Sequence, residues 1–186
     1  MASRSDYLKQ LWAPWRLGYV TDQEKSARSS NDGSVDELCQ LLPGAEPDCF
    51  LCVAAASAEV RRHRVVRRGD HAVTLLNRYP YNNGHLLVSP RTHKRRLDAL
   101  TSAEQVEISE TITRMVRAIE QLMHPDGFNI GLNLGHAAGA GVPGHLHWHV
   151  VPRWEGDTNF MPTLAGARVI PQSLDALWVL LNESLE

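Results

Sequence analysis

The chain has 186 residues, 43% of them hydrophobic and 22% charged, with a formal net charge of -2. That is enough for one domain with a buried core, and so balanced a charge lacks the electrostatic signature of a nucleic-acid binder. No stretch approaches the roughly 18–20 apolar residues of a membrane span; residues 1–10 carry no apolar signal core, and three cysteines are an odd set for a disulfide framework, so a reducing cytoplasm is the expected compartment.

Along the chain, residues 8–20 set Trp12 and Trp15 around Pro14, which cannot continue a long helix and reads as a docked arm. Residues 21–34 turn polar and read as a surface loop. Ser34 and Glu37 fit a capping box that opens a short helix with Leu38, Leu41 and Leu42, ended by Pro43-Gly44. The segment Cys49-Phe50-Leu51-Cys52 precedes an alanine-rich helix over 53–59. Val65-Val66 and residues 71–77 read as two strands around an Arg68-Gly69-Asp70 turn. A third strand, residues 85–88, is stopped by Pro90. Thr101 and Glu104 form another capping box. Val106, Ile112, Met115, Val116, Ile119 and Leu122 then repeat at helical spacing, a stripe expected to be core. Residues 128–133 and 145–153 read as strands four and five, residues 154–171 as irregular. A final helix over 173–185 turns Leu174, Leu177, Trp178 and Leu181 inward. Strands, long helix, strands in that order predict α+β with an antiparallel sheet. The expected layout is an arm and loop (1–47), a domain (48–154), and a C-terminal extension whose helix packs on that domain (155–186).

The chemistry concentrates in His145-Leu146-His147-Trp148-His149. In an extended chain side chains alternate between faces, so the three imidazoles share one face while Leu146 and Trp148 take the other. Just upstream, residues 131–144 hold five glycines and three alanines, a loop whose N–H groups can approach an anion closely. Gly139-Ala140-Gly141-Val142-Pro143-Gly144 matches G-x-G-x-x-G literally, but a strand follows it, not a helix, so the dinucleotide-binding reading fails. The histidines admit three readings. They are buried structural groups, each needing partners, zinc ligands, or a nucleophile with its acid partner acting on phosphorus. The glycine loop favours the third, because a metal-binding strand has no need of an anion cradle. Cys49-x-x-Cys52 alone is either a buried pair or half a metal site; Cys39 reads as core. His63, His71, His85, His124 and His136 read as surface or packing residues, with His136 close enough to the glycine loop to touch a ligand.

His145-Leu146-His147-Trp148-His149-Val150-Val151 resembles the His-φ-His-φ-His-φ-φ signature of the histidine triad (HIT) family of nucleotidyl hydrolases and transferases. Leu75-Leu76-Asn77-Arg78-Tyr79-Pro80, then Gly84-His85-Leu86-Leu87-Val88-Ser89-Pro90 and His93, is similar to the other half of that domain. The two blocks span about residues 49 to 153. The arm around Leu11 to Arg16, Pro152-Arg153-Trp154 and Gly156-Asp157-Thr158-Asn159-Phe160 further resemble bacterial members described as diadenosine polyphosphate phosphorylases.

The resemblance implies a five-stranded antiparallel sheet with one long and one C-terminal helix, forming a homodimer with sheets joined across the interface. It implies that His147 attacks the α-phosphorus and carries the nucleotidyl group as a phosphoramidate, that His149 hydrogen-bonds the phosphate and assists the leaving group, and that His145 orients the array. Asn77 would hold the ribose hydroxyls; Asn133 and the Gly139 to Gly141 backbone would bind phosphate oxygens. It also implies a structural zinc on Cys49, Cys52, His93 and His145, and no organic cofactor. Many relatives carry Gly-Gln-Ser/Thr before the triad, where this chain has a longer loop without those side-chain donors. Uridylyltransferase relatives have glutamine at the place of His149, which disfavours a hexose phosphate transferase. The expected activity is cleavage of diadenosine polyphosphates by phosphorolysis or hydrolysis, with no nucleic-acid or membrane partner. A nucleoside phosphoramidate hydrolase, a non-catalytic nucleotide-binding module, and a hydrolase using the triad as zinc ligands are the rivals.

Overall fold

A computed structural model describes residues 39–158 and 170–185. The expected N-terminal arm and most of the Ser34 helix lie outside the described residues; residues 39–42 are not helical, and Pro43-Gly44 forms a turn. Helix α1 (Phe50–Ala56) begins three residues before the expected segment, so Cys52 sits in its first turn and Cys49 at its N-cap.

Strands β1 (Val65–Arg68), β2 (Ala72–Leu76), β3 (Leu86–Pro90), β4 (Gly127–Leu132) and β5 (Trp148–Arg153) form one sheet in the order β1-β2-β3-β5-β4. Every neighbouring pair is antiparallel. β2 and β3 are buried along their whole length, as central strands covered on both faces must be. Successive residues therefore feed different cores. Ala72, Leu76, Leu86, Val88 and Val150 join one cluster; Val73, Leu75 and Leu87 join another with Cys49, Leu51 and Cys52 of the α1 region.

The first cluster is closed by α2 (Ser102–Met123) and α3 (Leu174–Leu185). α2 starts at the expected box: Thr101 accepts from Glu104 N, and Glu104 returns the bond to Thr101 N. Its inward stripe is Ile108, Thr111, Met115, Ala118 and Ile119, with Ile112, Val116 and Leu122 packed against it. Val106, expected in that stripe, is exposed. It lies nine residues before Met115, about half a turn out of phase at roughly 100° per residue. α3 buries Leu177 and Leu181 and lays Trp178 on the core, while Leu174 is only half-buried. Trp178 Nε1 donates to Val65 O at 2.9 Å, satisfying a carbonyl on the edge strand β1.

β5 starts later than expected, at Trp148 rather than at residue 145. The facing strand explains this. Continuing the register Leu86↔Val150 and Val88↔Trp148 sets Pro90 opposite Leu146, and proline has no N–H to give. The Ser89 hydroxyl donates to Leu146 O instead (2.7 Å), and Leu146 N turns to Lys94 O (2.7 Å). Residues 145–147 lie outside the ladder, with a bend at His145, and are held by these substitutes.

Candidate active site

Leu146 and Val150 enter the helix-side cluster with Trp148 packed against it, so His145, His147 and His149 face the other side of the sheet. His149 pairs in register with Leu87, which lies on the α1 side. Ring centroids of His147 and His149 are 5.2 Å apart.

The hydrogen bonds assign each ring a tautomer, because a carbonyl only accepts and a main-chain N–H only donates. His145 Nε2 lies 2.9 Å from Pro90 O; it carries the proton, leaving the Nδ1 lone pair toward Cys49 Sγ (3.3 Å) and Cys52 Sγ (3.5 Å). His147 Nδ1 lies 2.8 Å from His145 O, so Nδ1 is the protonated atom and Nε2 holds the lone pair. Burial lowers both pKa values. It takes His145 down to about 4, against the pull of the Pro90 carbonyl, and it lowers His147, opposed by the bond to His145. Both rings are neutral at pH 7, the state in which an imidazole nitrogen can attack.

The third ring is set by a residue expected to serve only packing. His85 is 1% exposed. Tyr81 N donates to His85 Nδ1 at 3.0 Å, so the His85 proton sits on Nε2, which lies 2.9 Å from His149 Nδ1. His149 Nδ1 must then accept, and the neutral ring carries its proton on Nε2. Tyr81 stacks on His149 with centroids 5.6 Å apart. Asn77 adds its Nδ2 to His85 Nδ1 (3.2 Å) and is itself oriented by Tyr79 N donating to Asn77 Oδ1 (3.0 Å). The pairing of His85 with His149 spans 64 positions; only the strand register, which makes them diagonal neighbours on one face, could have signalled it.

Cys49, Cys52, His93 and His145 offer ligand atoms that all lie within 4.8 Å of one another. The donor set fits a tetrahedral thiolate–imidazole site for a metal such as zinc. Two features support the fit. His145 has its Nδ1 lone pair turned to both sulfurs by the bond to Pro90 O, and His93 presents Nδ1 to Cys52 Sγ (3.2 Å) with Nε2 3.4 Å from Glu46 Oε1. Such outer contacts orient imidazole ligands. Burial pushes the Cys49 thiol up to about 12, with Cys52 beside it, so metal uptake would have to displace a proton.

The glycine-rich loop leads into this cluster. Gly135 (φ 77°) and Gly139 (φ 84°) bracket a short turn of 3-10 helix, His136–Ala138; both occupy backbone space that favours glycine. His145 N donates to Val142 O (3.3 Å), and a Cβ on Gly144 would meet His93 Nε2 at 3.3 Å. Gly141 is exposed. Asn133 follows the last β4 residue; continuing the register Gly131↔His149 and Leu132↔Trp148 brings it opposite His147. A cavity of about 630 Å³ opens between this loop and the basic segment after His93, lined by Arg95, Arg96, Leu134, Gly135, His136 and Gly144 among others.

A family model described as HIT domain matches residues 58–156. A protein of Mycobacterium tuberculosis named AP-4-A phosphorylase is 37% identical over 169 residues, covering 91% of this chain and 80% of that protein. A bis(5'-nucleosyl)-tetraphosphatase [asymmetrical] of Schizosaccharomyces pombe is 32% identical over 94 residues, half of each chain (50% and 51%). A solved structure described as a Zn-bound histidine triad family protein from Mycobacterium smegmatis superposes with a TM-score of 0.54 at 30% identity, over 65% of this chain and 82% of that one. The five-stranded antiparallel sheet with imidazoles ranked on one face defines a nucleotide-handling fold of the histidine triad kind. This chain belongs to the HIT family.

Proposed function

We propose that the protein cleaves diadenosine polyphosphates by nucleotidyl transfer through His147. The observation that carries this reading is the tautomer order of the two reactive rings: a lone pair on His147 Nε2 beside a proton on His149 Nε2. A nucleophile and a hydrogen-bond donor for the leaving oxygen are thereby prepared before substrate arrives. The names of the mycobacterial and yeast relatives support the substrate class.

In the first step His147 Nε2 forms a bond to the α-phosphorus and the phosphoanhydride P–O bond breaks. The departing polyphosphate oxygen leaves as an anion, accepting a hydrogen bond from His149 Nε2. In the second step water or inorganic phosphate attacks, the P–N bond breaks, His147 Nε2 recovers its lone pair, and any proton the acceptor releases passes to solvent. Asn77 is proposed to hold the ribose hydroxyls, and Asn133 with the N–H groups of Gly139 and Gly141 the phosphate oxygens. Arg95 supplies a cation for the polyphosphate tail, beside Arg96, which is paired with Asp98. Positioning and charge stabilisation dominate such transfers, which suits a site built from fixed ring tautomers.

Zinc on Cys49, Cys52, His93 and His145 is proposed as a structural group that would staple α1, the segment after β3 and the triad segment. A homodimer joined through the outer strand β4, whose Ile130 is 47% exposed, completes the assembly. The domain is taken to run over residues 48–154, with the C-terminal extension lending α3 to the core. The compartment proposed is the cytoplasm; among the described residues no helix is long and apolar enough to cross a membrane.

The test is a rapid quench with diadenosine tetraphosphate in neutral denaturant, followed by mass spectrometry. An adenylyl group on His147 supports the reading, and turnover with no histidine adduct refutes it. Products with and without inorganic phosphate decide the acceptor: ADP plus ATP marks phosphorolysis, AMP plus ATP hydrolysis.

A further inference from the structure

Glu104 does more than close the α2 capping box, a task that needs one acceptor oxygen. Its carboxylate, 4% exposed, takes four bonds. Oε2 accepts from Thr101 N (2.7 Å), Thr101 Oγ1 (2.9 Å) and Lys94 Nζ (2.6 Å). Oε1 accepts from Thr92 Oγ1 (2.7 Å). Thr92 and Lys94 are the two neighbours of His93, in a segment without regular structure between β3 and the 3-10 turn Leu97–Ala99. Lys94 O in turn accepts from Leu146 N at 2.7 Å, the peptide between His145 and His147.

We infer that Glu104 is a positioning residue for the site: one buried carboxylate at the start of α2 fixes both sides of His93 and, through the Lys94 main chain, the path of the triad segment. Segment 91–96 has no ladder to hold it. The long helix, anchored in the core by Ile108, Met115 and Ile119, provides the rigid support that a preorganised site needs. The inference rests on the proposed roles of His93, His145 and His147.

Two variants separate positioning from simple helix capping. Glu104→Gln keeps an oxygen for Thr101 N, as glutamine does in capping boxes, but leaves one acceptor oxygen where the carboxylate has two. Thr101→Ala removes the cap hydroxyl and keeps the bonds to Thr92 and Lys94. The readouts are cobalt(II) affinity by chelator competition, with the thiolate–cobalt absorption as signature, thermal midpoint, and kcat and KM on diadenosine tetraphosphate. Expected for Glu104→Gln is about 10–100-fold weaker cobalt binding and a lower kcat with KM nearly unchanged. Thr101→Ala should melt earlier with wild-type cobalt affinity. Wild-type cobalt affinity and kcat in Glu104→Gln overturn the inference, as does an equal cobalt loss in Thr101→Ala. If Glu104→Gln fails to fold, Thr92→Val, which removes a single bond, decides: unchanged affinity and kcat overturn the inference, weaker binding upholds it. A wild type that cleaves substrate but takes up no cobalt refutes the metal reading alone, and the kcat of Glu104→Gln then decides positioning. A wild type that forms no histidine adduct refutes the functional reading instead.

Discussion

Replacing His85 by phenylalanine keeps a ring of similar volume and deletes both nitrogens. Three bonds disappear: Tyr81 N loses its acceptor at 3.0 Å, His149 Nδ1 loses its donor at 2.9 Å, and Asn77 Nδ2 loses its partner at 3.2 Å. The first loss bears on stability, because an unpaired buried N–H costs about 1–3 kcal/mol. The second bears on catalysis. A hydrogen bond of this kind contributes roughly 0.5–1.5 kcal/mol net, which is the margin by which His149 is held with its proton on Nε2. Releasing it lets the ring turn as well as exchange tautomers, and about 1.4 kcal/mol lost from the transition state is a factor of ten in rate. The expected result is a kcat on diadenosine tetraphosphate lowered about 3–10-fold with KM little changed. His149→Ala, which removes the proposed donor to the leaving oxygen, should lose roughly 10²–10³-fold. Steady-state kinetics with a thermal melt to confirm folding measures both. A folded His85→Phe enzyme with wild-type kcat, or one whose whole defect lies in KM, refutes the tautomer argument.

Four further predictions concern stability and assembly. In the chelator-treated protein, acid should weaken folding in two stages. His145, taken to about 4 by burial, and His147, lowered by burial, stay neutral in the fold while the unfolded chain gains protons from about 6.5 downward. Burial alone would raise Glu104, but the bonds from Lys94, Thr101 and Thr92 overcome it and hold it at about 2, so its stabilisation is lost as pH falls below its ordinary 4.5. A urea midpoint flat between pH 7 and pH 4 contradicts this. Gly69→Ala would place Cβ 2.1 Å from Glu107 Oε1, displacing the carboxylate that accepts His71 N and Ala72 N; a loss of about 1–2 kcal/mol in urea unfolding is expected, and no loss means that Glu107 does not tie the hairpin down. His124 caps α2 with φ 47°; His124→Gly should raise stability by up to about 1 kcal/mol, and a lower melting temperature rejects the strain. Ile130→Lys should convert a dimer to monomer in light scattering; a monomeric wild type disposes of the β4 interface.

Strand positions and the α2 cap were legible because they rest on local chemistry. Turn residues bound β1 and β2, and Thr101 lies three residues from Glu104. The misplaced features depend on partners distant in sequence. The start of β5 is decided by Pro90, 55 positions before His145. The role of His85 comes from a ring 64 positions away. α1 begins early because the Cys49-Phe50-Leu51-Cys52 segment, read as a motif preceding the helix, is itself the first turn. Of the expected site residues, the four proposed metal ligands converge, and His147 and His149 lie in ring contact. Asn77 reaches the array by way of His85. Gly139 and Gly141 are reached only through the chain of their own loop, where backbone angles do not follow from composition.

Alternation along an extended chain puts three identical side chains on one face, but it cannot give them three different properties. Their partners do. His145 stands beyond the end of the ladder, where Pro90 has a carbonyl with no strand left to serve; that carbonyl takes the Nε2 proton and turns Nδ1 to the sulfurs. His147 Nδ1 donates to the main chain two residues back, an arrangement that needs no third residue. His149 is inside the ladder, where main-chain carbonyls are occupied by β3 and β4, so its orientation falls to another imidazole. In the proposed scheme the remaining ring atoms are therefore a ligand lone pair, a nucleophilic lone pair and a hydrogen-bond donor in sequence along one edge. A fully regular strand through residue 145 would have removed the first of these distinctions, since the Pro90 carbonyl would then be engaged by backbone. On this argument the early end of β5 separates the proposed metal ligand from the proposed catalytic pair.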